Sequence, residues 1–437
     1  MGITRLEYQA RRTHLARQMA AGSVAIIPAA KEILRNGDSH YRFRQDSNFL
    51  YLTGFAEPEA LLVIFAGEQG DSVLFNRSRD PAKEQWDGHR LGQEAAPEAL
   101  GVRKAYPFSE AKEQLTSILS NRDTIYYPTG LFPEWEHLLS DVIKDLKRGV
   151  RRGIAAPTTL IDVVPLISEM RLFKSEAEIA LMRKAASISA DAHRRAMQQC
   201  RHLENEMRLE AELCYEFFRQ GCRAVAYQPI VGSGENACIL HYGANDQPLN
   251  NGDLVLIDAG GEYQHYAADI TRTFPVSGQF SAAQRQIYEL VLKAQQAGIA
   301  CIKPGVKWNQ VQETIIRILT LGLCELGILE GNIDTLLEKQ AYLPYYMHNS
   351  GHWLGMDVHD CGVYKVNGEW RPFEPGMVLT VEPGLYFSPS LDGLEPKWRG
   401  IGVRIEDDIL VTDEGYENLS AAVPVEINEI EALMRGE

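Results

Sequence analysis

The chain lacks any run approaching the 18 or so uninterrupted apolar residues that a transmembrane helix needs, so no membrane span is expected. It also lacks a basic block: 44 Lys and Arg stand against 59 Asp and Glu, leaving a net charge of −15. That balance excludes nucleic acid and anionic membranes as expected partners. Its seven cysteines, at 200, 214, 222, 238, 301, 324 and 361, form no C-x-x-C pair and no disulfide framework. Reduced thiols in a cytoplasmic protein are the expectation. The first 25 residues carry Arg5, Glu7, Arg11, Arg12 and Arg17 and no apolar run of signal-peptide type. Leu6 stands where a myristoylation signal wants Ser or Thr. Neither a fixed-period repeat nor a low-complexity tract is present. What is left is a globular chain of 437 residues, 45% hydrophobic and 24% charged, long enough for two or three domains.

An amphipathic pattern predicts a helix over 5–19. The apolar runs Val24–Pro28, Phe49–Phe55, Leu61–Phe65 and Val73–Phe75, separated by turn signals, then suggest a small sheet. Helical patterns at 81–100, 109–120 and 133–147 alternate with a strand at Ile125–Tyr127, which makes the first 172 residues an N-terminal α/β domain. Glycine and proline punctuate 149–165, and the boundary falls near 172. From 173 to 437 helices are expected at 174–200, 205–220, 281–302 and 308–327, with strands near 376–382 and 401–412.

Polar residues embedded in apolar or glycine-rich frames carry the functional signal. In LVLIDAGGEYQHYAADITRTF (254–274) an aspartate sits inside each of two expected strands, Asp258 and Asp269. A hairpin turning at Tyr263-Gln264 places them directly opposite, with Cβ atoms roughly 5 Å apart. Carboxylates so close call for a cation, unless both simply face water. HNSGHWLGMDVHD holds His348, His352 and His359, but Asn349 stands where a zincin helix has glutamate, so that reading fails. Glu382 ends the apolar run of MVLTVEPG, and Arg404, Glu406 and Asp408 alternate in GVRIEDDILVT, on one strand face that is either functional or solvated. GSGENA suggests a glycine nest for phosphate, yet no Walker-type helix follows it. Asp258, Asp269, His352, Glu382 and Glu406 together form a candidate set. Four gathered carboxylates cannot all stay ionised unaided, and two divalent cations balance them. Oxygen-rich ligation with one imidazole suits Mn²⁺ or a similar ion, and the chemistry reached is two-metal hydrolysis.

The frames VLIDAG…ADITRTFPV, HWLGMDVHD, GMVLTVEPGLY and RGIGVRIEDD resemble those of the pita-bread metallopeptidases, the family of methionine aminopeptidase, prolidase and aminopeptidase P. RFRQDSNFLYLTGFAEPEALLV, LFNRSRDPAKEQWDGHRLG and EMRLFKSEAEI extend the resemblance across the N-terminal half, in the pattern of the aminopeptidase P group. It implies an α/β (α+β) chain whose catalytic domain, 173–437, has the pita-bread fold. It further implies two metal ions bridged by Asp258, by Glu406 and by a water or hydroxide, with Asp269 on one metal and His352 and Glu382 on the other. Glu382 would also act as base. His241 and His359 would bind the scissile carbonyl, His348 would line the proline side, and Arg404 and Tyr364 would belong to the active-site network. Trp86 and Arg151 match residues that complete the substrate pocket from a neighbouring subunit of a homotetramer.

The function so implied is hydrolysis of the bond between an N-terminal residue and a following proline in peptides. Prolidase, which cuts only Xaa-Pro dipeptides, shares every ligand. It is distinguished by a cap for the substrate carboxylate, for which Arg371 is a candidate. A non-catalytic binding protein on the same fold is the remaining alternative, disfavoured because all five ligands are present.

Overall fold

The computed structural model describes residues 2–437 and divides into two compact units, Ile3–Arg171 and Leu172–Glu437. In the first, helix α1 (Arg5–Gln18) starts at Thr4, whose side chain accepts the Glu7 N–H. A six-stranded mixed sheet follows, built from β1 (Val24–Pro28), β2 (Leu61–Phe65), β3 (Ser72–Asn76), β4 (Lys104–Pro107), β5 (Thr124–Tyr127) and β6 (Thr159–Asp162), in the order β4-β3-β2-β1-β5-β6. Apolar residues fill β1, β2 and β3 because the sheet is covered; Val24, Val63, Phe75 and Ile125 pack with Leu115, Leu119, Leu139 and Val142 of two amphipathic helices.

One expected strand is a helix. Most of Phe49–Phe55 lies in α2 (Ser47–Thr53), which begins where the Asp46 carboxylate accepts the Phe49 N–H and ends at Gly54, φ +66°, whose N–H donates to Leu50 O. A continuous apolar run has no period to distinguish strand from helix. Here the capping aspartate and the left-handed glycine decide.

The second unit opens with two packed helices, α3 (Glu176–Gln199) and α4 (Glu206–Arg219). A capping box starts α3: Ser175 Oγ accepts the Glu178 N–H and Glu178 Oε2 accepts the Ser175 N–H. Helices α5 (Ala282–Ala300) and α6 (Asn309–Glu325) approach closely because each presents a glycine to the other. A Cβ on Gly298 would lie 2.7 Å from Ile315 Cδ1, and one on Gly322 2.2 Å from Leu290 Cδ1. Between the helix pairs run short antiparallel strands: β7 (Ile230–Ser233), β8 (Leu254–Asp258), β9 (Gly261–Tyr263), β10 (Tyr266–Ala267), β11 (Thr271–Pro275), β12 (Val378–Val381), β13 (Gly384–Tyr386), β14 (Gly402–Arg404) and β15 (Asp407–Val411). They form a β7-β8-β11 sheet, a β12-β15 ladder extended by Tyr416–Asn418, and a β13-β14 pair. Single bridges, Thr271 to Glu406 and Trp353 to Leu379, tie these pieces together. Ile257, Phe274, Leu379, Val403 and Ile409 lie in the continuous core beneath.

The hairpin departs from its expected register. In the β9–β10 ladder Glu262 faces Ala267 and Tyr263 faces Tyr266, so the turn is Gln264-His265, one residue beyond Tyr263-Gln264. Both turn residues have positive φ, +48° and +69°, as a type I′ turn requires. Asp258 ends β8 opposite Thr271, and Asp269 lies outside any strand, between β10 and β11. The ladder breaks at Gly260, where a Cβ would sit 1.7 Å from Ala268 O. Only glycine lets the two backbones touch there.

Candidate active site

A cavity of about 640 Å³ in the second unit is lined by Asp258, Asp269, His352, Glu382 and Glu406, with His241, His348, His359, Tyr364 and Arg404 also on its walls. Ten sequence candidates from five separate segments therefore meet in one place. The oxygens of Asp269 and Glu406 and a ring nitrogen of His352 lie within 4.8 Å of one another. His352 Nε2 is 3.3 Å from Asp269 Oδ2 and 3.8 Å from Glu382 Oε1. Its Nδ1 faces the Trp353 carbonyl at 2.9 Å, an acceptor only, so Nδ1 carries a proton and Nε2 is the atom aimed at the carboxylates.

The carboxylates are crowded and buried. Burial pushes the Asp258 carboxyl up, and Glu382 up to about 7. Burial, reinforced by Asp269, Glu382 and Asp258, pushes Glu406 well above the usual carboxylate range. Burial opposes ionisation of Asp269 too, yet hydrogen bonding and charge from His352 hold it below its ordinary value. The same pairing, against burial, raises His352 to about 9. Tyr227 Oη lies 2.5 Å from both Asp258 Oδ1 and Asp269 Oδ1, and a hydroxyl has one proton to give. Among the described residues lining the cavity, Arg404 is the only side chain with a permanent positive charge, and its Nη2 donates to Asp258 Oδ2 at 2.6 Å. Four carboxylates and one directed imidazole on one cavity wall fit divalent cations by charge and donor type.

A second network backs the first. His348 Nδ1 faces the Asn349 carbonyl at 2.7 Å, so its Nε2 accepts from Tyr386 Oη at 2.8 Å, and Arg404 Nη1 donates to the same hydroxyl at 3.1 Å. Burial, with the nearby Arg404 charge, pushes His348 down to about 3, leaving a neutral imidazole beside Glu382, whose Oε2 is 3.6 Å from Nδ1. The His359 ring stands edge-on to His352 with centroids 4.3 Å apart, and Tyr364 stacks on Trp353 at 5.4 Å. Arg404, Glu406 and Asp408 do not form a solvent face. All three are buried, the strand breaks between Arg404 and Asp407, and the Asp408 carboxylate accepts the Asp269 N–H at 3.2 Å.

Trp86, 88% exposed, and Arg151, on an exposed turn, lie in the first unit and are not among the cavity's lining residues. Arg371 is buried under the Phe173 ring and pairs with Glu374, and it does not line the cavity. Residues missed in the sequence include Tyr227, Thr271, whose hydroxyl donates to Glu406 Oε2 at 2.5 Å, and Tyr386. Tyr386 stood inside the quoted GMVLTVEPGLY frame and Thr271 inside ADITRTFPV; nothing local marked Tyr227.

His193 was also missed. Fully buried on α3, it donates from Nε2 to Ala259 O at 2.9 Å, fixing the backbone beside Asp258, while Nδ1 has no partner. Burial lowers it from 6.5 to about 4. The folded state therefore binds this proton more weakly than the unfolded chain. Its contribution to stability is intact above pH 6.5 and is lost as pH falls from 6.5 towards 4, by up to about 3 kcal/mol. Urea midpoints measured across that window should fall with acid, and a His193→Gln variant should show a shallower decline.

The fold and the site define a metallohydrolase: a pita-bread domain whose cavity presents four carboxylates and an imidazole, preceded by a separate α/β domain. The chain belongs to metallopeptidase family M24. That family's profile matches residues 180–413, and the aminopeptidase P N-terminal domain matches residues 8–126. Over 434 residues, 99% of this chain and 98% of the relative, it is 50% identical to the Xaa-Pro aminopeptidase of Escherichia coli (strain K12). It also superposes on two solved structures of E. coli aminopeptidase P, one with the inhibitor Pro-Leu and one zinc-substituted in complex with product. Each has a TM-score of 0.97 at 49% identity, covering 100% of this chain and 99% of the other.

Proposed function

We infer that the protein is an Xaa-Pro aminopeptidase, a metallo-exopeptidase that hydrolyses the bond between an N-terminal residue and a following proline. The observation that carries this is the convergence of the five donors in one cavity, in a chain that matches both domains of such enzymes. The Pro-Leu bound by the E. coli relative supports it, because a peptide beginning with proline is what such a cleavage releases.

Asp258, Asp269, His352, Glu382 and Glu406 would hold two divalent cations, and the single imidazole among oxygens favours Mn²⁺. When bound, the pair activates a water molecule and polarises the scissile carbonyl. The chain's own residues do the rest. Glu382 takes the proton of the attacking water. His241 and His359 donate to the carbonyl oxygen as charge develops on it. Neutral His348, its tautomer set by Asn349 and Tyr386, lines the proline side. Arg404 holds Asp258 by Oδ2 and so orients the carboxylate that would face the cations and the substrate amine. An internal residue has no free amine to place there, which restricts cleavage to the N-terminus.

A proline in second position makes the scissile amide tertiary, with no N–H to bind, so the pocket must recognise the ring itself. Exposed Trp86 and Arg151 would supply part of it from a neighbouring subunit of a homotetramer. Seven free cysteines support a reducing, cytoplasmic setting. The position of Arg371 outside the cavity removes the candidate carboxylate cap of a prolidase and supports longer substrates. Incubation with Arg-Pro-Pro and with Arg-Pro, followed by mass spectrometry, tests this. Release of Pro-Pro from the tripeptide faster than proline from the dipeptide is expected; cleavage of the dipeptide alone makes the enzyme a prolidase.

A further inference from the structure

Among the buried carboxylates outside the cavity, Glu206 collects an unusual number of hydrogen-bond donors. It is the first residue of α4 and is fully buried, and no lysine or arginine among the described residues pairs with it. Five hydrogen bonds converge on its carboxylate instead. Oε1 accepts from Ser233 N at 2.7 Å, Ser233 Oγ at 2.9 Å and Asn236 Nδ2 at 3.2 Å; Oε2 accepts from Tyr242 Oη at 2.9 Å and Gln247 N at 3.0 Å. The Glu206 N–H in turn donates to Gln247 O at 3.0 Å. Several charge-assisted bonds and a helix N-terminus stabilise the anion without a counter-ion.

Every one of those donors belongs to residues 233–247, which run from the last residue of β7 into the connection to β8. This connection has no regular structure beyond one short 3₁₀ turn at Gly234–Cys238. Its far limb supplies Leu240, His241, Tyr242 and Gly243 to the cavity wall. His241 is exposed and makes no hydrogen bond to the rest of the described chain, so its place is set by its neighbours alone. The neighbour on one side, Tyr242, is tied to Glu206. Further along, Asn245 is pinned by its own bonds to Val231 N, Pro229 O and Glu210.

We propose that Glu206 is a positioning residue that holds His241 over the scissile carbonyl by fixing the 233–247 connection through Tyr242, Ser233 and Gln247. The proposal rests on the role given above to His241. A neutral isostere cannot replace the carboxylate. In either orientation the amide of Glu206→Gln points an N–H at a backbone N–H, that of Ser233 or of Gln247, and the connection must shift. A displacement of about 1 Å costs on the order of 10²-fold in rate when a reacting geometry depends on it. Tyr242→Phe removes one tether and keeps the rest.

The test is a double-mutant cycle with His241→Ala, following Arg-Pro-Pro hydrolysis by the Mn²⁺-loaded enzyme. Glu206→Gln should lower kcat by roughly 10²-fold and Tyr242→Phe by about tenfold, with KM little changed and two metals per chain retained. In a His241→Ala background, neither substitution should lower kcat further. Multiplicative losses in that background, or full activity of both single variants while His241→Ala is impaired, would overturn the proposal. Should Glu206→Gln fail to fold, Tyr242→Phe alone completes the cycle. Unimpaired His241→Ala, or a wild-type enzyme inert towards Arg-Pro-Pro, instead refutes the functional reading on which the proposal rests.

Discussion

Glu406→Gln is expected to lower kcat/KM by at least about 10³-fold, because it removes a buried charge that should act directly on the bound cations, where even outer partners cost 10–100-fold. Metal content should fall with activity. Stability of the metal-free protein should not fall. Burial and three neighbouring carboxylates already drive Glu406 towards its neutral form, and an amide oxygen can accept the Thr271 hydroxyl as the carboxylate does. The opposite directions of the two effects identify a charge kept for function at the expense of the fold. Kinetics, metal analysis by mass spectrometry and thermal unfolding of the stripped protein check all three. Equal loss of activity and stability would make Glu406 a structural residue.

Arg272→Met is expected to destabilise the fold by about 3–5 kcal/mol, the usual consequence of stranding a buried partner. Arg272 is fully buried on β11. Its Nη2 donates to Asp407 Oδ1 at 2.7 Å, and its Nη1 donates to the carbonyls of Glu406 at 2.7 Å and Thr271 at 2.9 Å. Asp407 also accepts from Ser420 Oγ at 2.7 Å and Gln295 Nε2 at 2.6 Å, so loss of the arginine leaves an anion without its counter-ion. Because the guanidinium clamps the backbone on both sides of the site, activity should fall as well. Urea unfolding gives the cost, and a paired Arg272→Met, Asp407→Leu variant should recover much of it.

The candidate residues that line the cavity were legible because each is an anomaly in its own segment. Asp258 after Leu254–Ile257 and Glu382 after Val381 are charges where an apolar strand predicts none. The large helices expected at 174–200 and 281–302 are present, and the structure starts both with capping boxes, Ser175 with Glu178 and Ser281 with Gln284. What failed depended on information that a local window does not hold. The run at 49–55 carries no period, so its caps had to decide between helix and strand. The hairpin register turned on which two residues accept positive φ, and Gln264-His265 has no glycine to announce it. Tyr227, His193, Arg272 and Glu206 are ordinary in sequence. Each matters because of a partner dozens of positions away, and only the fold brings those partners within reach.

The central claim is that the carboxylates and imidazole exist to hold two divalent cations for peptide hydrolysis. It is tested most directly by stripping the protein of metal, adding Mn²⁺ stepwise, and following release of arginine from Arg-Pro-Pro alongside bound metal. No hydrolysis by the stripped protein is expected, and a rate that rises to a plateau at two ions per chain. Full hydrolysis without metal, or saturation with less than one ion per chain bound, would contradict it.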